Sequence, residues 1–132
     1  MRTWIGIVAA LLLVVFLVSF LPPYIKASRL SGELREARQE NSMAQLRDLA
    51  AQAYFQAIQK NYGLSGETSA RFFSRVREVA GQAPDANRRK AIEDLAMFRD
   101  KITAGLAKGD PGVLNDLQAL FVKTRQATGV VD

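Results

Sequence analysis

The feature that most constrains this chain is an uncharged run near its start. Trp4 to Leu21 (WIGIVAALLLVVFLVSFL) holds 18 residues with Ser19 as its one polar side chain. At about 1.5 Å per residue a helix of that length spans roughly 27 Å, close to the hydrocarbon thickness of a bilayer. Trp4 and Tyr24 bracket the run, where amphipathic rings favour the headgroup region, and Arg2, Lys26 and Arg29 lie just outside it. Pro22-Pro23 is expected to end the helix, because proline lacks an N–H and disfavours helix at the preceding residue. A cleaved secretory signal has a shorter apolar core and a small-x-small site. The nearest candidate here, Ile25-Lys26-Ala27, carries a bulky residue where a small one is needed. The segment therefore reads as a retained transmembrane anchor over 4–23, after a short tail at 1–3.

Beyond the anchor the chain is all-α in its signals. From Ser28 to about Glu40, Leu30, Leu34 and Ala37 recur at helical spacing among Glu33, Arg35, Glu36 and Arg38. That pattern marks a charged juxtamembrane stalk over 24–41, too thinly apolar to form a core alone. Asn41-Ser42 interrupts it, and Ser42 with Gln45 resembles a capping box opening a new helix. Leu46, Leu49, Ala50, Ala53, Ala57 and Ile58 then share one side, until Tyr62-Gly63-Leu64 offers a glycine cap. Ser65 is expected to cap a helix striped by Phe73, Val76, Val79 and Ala80. Ala91, Ile92, Leu95, Phe98, Ile102 and Leu106 make the clearest amphipathic face, closed by Gly109. Asp110-Pro111 starts a last helix carrying Val113, Leu114, Leu117, Leu120, Phe121 and Thr124.

The expected helices after the anchor are 28–62 (with a break allowed at 41–42), 66–80, 86–107 and 111–128. Short connections make neighbours antiparallel, so 42–132 should form a small soluble antiparallel bundle of about four helices. Phe55, Phe73, Phe98 and Phe121 are expected in the core, with Tyr54, Tyr62 and Phe72 flanking it. An N-terminal anchor followed by such a bundle resembles the general plan of the LemA family. The resemblance is of architecture and implies no residue roles.

Composition excludes much chemistry. The chain contains neither cysteine nor histidine. It therefore cannot form a disulfide, a thiolate nucleophile, an imidazole–metal site or a Ser-His-Asp triad. The carboxylate pairs Glu93-Asp94 and Glu36/Glu40 lie on helix surfaces, whereas acid–base work needs acids converging in a dry cleft. No glycine-rich phosphate loop or calcium loop appears. The expectation is a chain that is not an enzyme, with no cofactor, no metal and no small-molecule substrate.

The candidate sites are therefore surfaces. Gly6 and Ala10 form a small-xxx-small pair that lets membrane helices approach closely, although such spacing also arises by chance. Arg88-Arg89-Lys90 is the densest positive cluster. It reads either as a solvated helix corner partly neutralised by Glu93 and Asp94, or as an anionic docking surface for lipid headgroups or an acidic protein. Without interleaved aromatics it does not read as a nucleic-acid site. Expected partners are the lipid bilayer and other subunits of a membrane complex. Lys26, Arg29, Arg35 and Arg38 outnumber Arg2 across the anchor, which favours a cytoplasmic soluble domain. A short tail before an apolar helix is also the shape of a signal anchor, which favours the opposite side. The expectation is a single-pass protein of the cell (cytoplasmic or inner) membrane, leaning slightly to the cytoplasmic orientation. Its function is expected to be that of an accessory subunit scaffolding or stabilising a membrane complex. The alternative is a tethered sensor or adaptor whose bundle binds a soluble protein or small ligand.

Overall fold

The computed structural model describes residues 2–129, the side chains of 20–25 excepted. Five α-helices occur among them: α1 (Arg2–Ile58), α2 (Tyr62–Gly81), α3 (Ala86–Glu93), α4 (Arg99–Lys108) and α5 (Val113–Ala127). A 3-10 segment, Asp94–Phe98, joins α3 to α4, and the described residues contain no strand. The chain divides into two units, Met1–Arg38 and Gln39–Asp132.

The first unit is helical throughout its described residues, and within it Arg2–Ser19 is long and apolar enough to cross a membrane by length and composition. Helix α1 does not stop at Pro22-Pro23 as expected. Proline's fixed φ near −65° is itself helical, so the backbone continues while the carbonyls of residues 18 and 19 lose their usual N–H donors. Apolar helices tolerate this where neighbouring groups or water take up the freed carbonyls.

The second unit contains the core. Neither Asn41 nor Ser42 breaks α1. Both cost only tenths of a kcal/mol in a helix, and burial of the face formed by Met43, Leu46, Ala50, Ala53 and Ala57 outweighs that. The helix ends earlier than the glycine at position 63 suggests. Lys60 adopts the left-handed conformation at φ 61°, with Lys60 N–H bonded to Ala57 O and Asn61 N–H to Gln56 O at 2.9 Å each. This is the paired 5→2 and 6→1 arrangement of a Schellman cap, built on lysine. Asn61, not Ser65, caps α2, its side chain accepting from Leu64 N–H at 3.4 Å. Gly63 thus lies inside the first turn of α2.

Ser65 belongs to the core instead. Its hydroxyl donates to Ala53 O at 2.7 Å, while Arg75 Nη1 donates to Gln45 Oε1 at 2.6 Å further along the pair. These contacts make α2 antiparallel to the 45–53 part of α1. Helices α4 and α5 are also antiparallel: Lys101 pairs with Asp116 at 2.8 Å, and Gly105 faces Val113 nearer the turn. Gly109, at φ 64°, closes α4 with a second Schellman pair, Gly109 N–H to Leu106 O and Asp110 N–H to Gly105 O.

The stripes of α2, α3–α4 and α5 bury as expected: Phe73, Val76, Val79 and Ala80; Ile92, Leu95, Ile102 and Leu106; Val113, Leu117, Leu120 and Thr124. Two boundaries differ from expectation. The 86–107 stretch is divided by the 3-10 segment. Helix α5 begins at Val113, because the Asp110 carboxylate accepts from Gly112 N–H at 2.9 Å and holds Asp110–Gly112 as a turn.

Candidate protein-contact surfaces

The residues expected to form and flank an anchor are presented on the outside of α1. Trp4, Gly6, Ala10, Lys26 and Arg29 are all exposed, and beyond its chain neighbours and its own helix backbone nothing lies within 4 Å of where a Gly6 Cβ would project. Gly6 and Ala10 lie one turn apart, so they share a face open to another helix. The Tyr24 side chain lies outside the described residues.

The basic corner at the start of α3 is built by Asp85. In extended conformation, Asp85 caps the helix by accepting from Arg88 N–H at 2.7 Å. The three cations then part. The half-buried Arg88 guanidinium lies against Gly129, just past the end of α5. Arg47 reaches the same end from α1, donating to Thr128 O at 3.4 Å and pairing with Glu40 at 2.8 Å. A helix C-terminus carries partial negative charge and unsatisfied carbonyls, so two converging arginines stabilise it. Lys90 sits 3.4 Å from Asp94 on the exposed side, leaving Arg89 free toward solvent among the described residues. The triplet is contiguous in sequence, but its charges do not form one cradle.

Large apolar side chains lie where the sequence pattern does not put them. Phe55 is 59% exposed and Ile58 49% exposed, contrary to their expected places in the core. Leu64, at the start of α2, is 39% exposed. The cause is the closeness of the α1–α2 hairpin. Its inner faces are small: Ala50, Ala53 and Ala57 on α1, Ser65 and Thr68 on α2, all buried. At about 100° per residue Phe55 projects roughly 200° from both Ala53 and Ala57, away from this interface. Phe72, expected at the flank, is fully buried and packs edge-on against Phe73 with ring centroids 5.0 Å apart. A hydrophobicity pattern ranks phenylalanine above alanine. Here close helix approach reverses that ranking.

Several open grooves mark the second unit among the described residues. One of about 570 Å³ lies between α1 and α2, lined by Gln45, Leu49, Gln52, Arg71 and Arg75 among others. A second, of about 640 Å³, lies between the start of α2 and the end of α4, where the Ser69 hydroxyl is buried without a partner. A third, of about 450 Å³, is lined by Leu95, Met97, Phe98 and Ala127, with Asp94 and Lys123 beside them. Among the described residues no three carboxylates are grouped to hold a metal ion. No family model, curated protein or solved structure matches the chain.

Proposed function

We propose that this chain is a non-catalytic, membrane-anchored accessory subunit whose helical domain scaffolds or stabilises a larger membrane protein complex. The observation that carries this reading is the apolar surface at the α1–α2 turn. Phe55 and Ile58 close α1 and Leu64 opens α2, all exposed, while alanines and hydroxyl residues fill the interior beside them. A hairpin that packs alanines and hydroxyl residues inside while Phe55, Ile58 and Leu64 stay exposed beside them has surface suited to a protein contact. The apolar Arg2–Ser19 stretch supplies the tether. The anchor is read as inserted in the cell membrane with the helical domain on the cytoplasmic side, supported by Lys26, Arg29, Arg35 and Arg38.

Affinity purification of the full chain from native membranes in mild detergent, followed by mass spectrometry, tests the reading. The expected result is a defined set of co-eluting membrane proteins that is lost with Phe55→Ser/Ile58→Ser. Recovery of this chain with no other protein, or only with copies of itself, would overturn it. The groove beside Met97 and Phe98 favours a second reading, a tethered adaptor that binds a soluble protein segment reversibly. In that case Met97→Glu, and not the Phe55/Ile58 pair, would abolish capture.

A further inference from the structure

The exposed part of α1 beyond the anchor carries a seam with a partner implied by its own charges. In a seven-residue register, Ala27, Leu34 and Asn41 take position a, and Leu30 and Ala37 take position d. The b, c and f positions are Ser28, Arg29, Gly32, Arg35, Glu36 and Gln39, with no large apolar residue among them. Leu30 is 70% exposed and Leu34 is 52% exposed, so the seam has no cover in the single chain. Position g holds Glu33 and the following e holds Arg38, and neither makes an ion pair among the described residues. In a parallel two-stranded coiled coil, g of one helix meets the next e of the other, which here brings Glu33 to the second copy's Arg38 and the reverse. An asparagine at position a, as at Asn41, sets register and two-strandedness in such coils.

We infer that the stalk of α1 is a parallel homodimerisation surface whose occupant is a second copy of this chain. The inference rests on the anchor reading above, because two anchors inserted with one orientation deliver their stalks in parallel. Confinement to one membrane also raises the effective concentration of the second strand, which a seam of two leucines and two alanines requires. Gly6 falls in the same a phase, three heptads before Ala27, so a small residue lies on the seam's continuation where membrane helices pack closely.

The absence of cysteine makes the test direct. Single cysteines are placed in turn from Ser28 to Arg38 of the full chain in native membranes, which are mildly oxidised and scored for disulfide-linked dimer. Because a disulfide needs Cβ atoms within about 4 Å, dimer from Leu30→Cys, Leu34→Cys and Ala37→Cys should exceed that from Arg29→Cys and Glu36→Cys by about fivefold or more. Adding Glu33→Arg should lower the Leu34→Cys yield by about twofold, and Glu33→Arg/Arg38→Glu should restore it. A profile without periodicity, one peaking on the Glu36 face, or no dimer at any position would overturn the inference and assign the seam to lipid or to another protein. Resistance to alkaline carbonate extraction, scored in the same membranes, reports separately on the anchor.

Discussion

Thr68 donates its hydroxyl to the side-chain oxygen of Gln56 at 2.7 Å, and both residues are buried between α1 and α2. The bond ties the two helices together beside the Ser65–Ala53 contact. Thr68→Val keeps the shape but leaves the Gln56 oxygen without its donor. It should destabilise the domain by about 1–3 kcal/mol, the cost of a buried orphan acceptor. Gln56→Leu/Thr68→Val, which removes both polar partners, should cost less than the sum of the single changes. Chemical unfolding of the four proteins, followed by circular dichroism in mild detergent, checks the coupling.

The left-handed caps at Lys60 and Gly109 predict opposite responses. Lys60 holds φ 61° with a side chain, so Lys60→Gly relieves strain and should raise stability by up to about 1 kcal/mol. Gly109 holds φ 64° with none, and Gly109→Ala should lower it by about 1 kcal/mol or more. Thermal unfolding of both variants beside the parent measures the two shifts. A loss of stability in Lys60→Gly would show that lysine's side chain matters more than its backbone there.

The close packing of α4 on α5 at Gly105 depends on a missing methyl. A Cβ on Gly105 would stand 2.9 Å from Val113 Cγ2 and 3.0 Å from Val113 Cβ. Gly105→Ala should therefore cost about 1–3 kcal/mol by overpacking, even though alanine is the better helix former. Gly105→Ala/Val113→Ala should recover part of that loss. Equal melting temperatures for the single and double variants would place the cost elsewhere.

These positions show what is legible in the sequence. Periodicity locates α2, the 86–107 face and the α5 stripe, because leucine, isoleucine and valine mark a core whenever helices pack at ordinary distance. It misplaces Phe55, Ile58 and Phe72, because the α1–α2 contact selects for small volume rather than hydrophobicity. Turn chemistry misleads for a similar reason. Glycine is the usual left-handed residue, so Gly63 draws the cap three residues past Lys60, and no property of lysine announces it. The prolines at 22–23 suggest a stop under the rule for water-exposed helices. Of the basic triplet, the sequence shows the charge but not that Arg88 turns toward the end of α5.

The second unit should stand alone. A fragment comprising Gln39–Asp132 keeps the Glu40–Arg47 pair and the whole buried core, so it should be monomeric, helical and cooperative in unfolding. With Arg88 and Lys90 engaged, its affinity for anionic vesicles should be weak and should fall as salt rises from low to physiological strength. Circular dichroism and vesicle co-sedimentation test both points. Salt-resistant binding would mean that Phe55, Ile58 and Leu64 enter lipid rather than contact protein.

The 3-10 segment between α3 and α4 acts as a phase corrector. Tighter winding advances about 120° per residue instead of about 100°, so five residues turn the following helix by roughly 100° beyond a continuous α-helix. Ile92, Leu95 and Phe98, three apart, are kept nearly in line there, while Ile102 and Leu106, four apart, follow once ordinary winding resumes. The side chains thus count out two different helical pitches, and the backbone obeys each in turn. Removing this change of pitch would leave every residue of α4 in place along the chain yet rotate Gly105 away from Val113, bringing a bulkier neighbour to a spot where only a hydrogen fits.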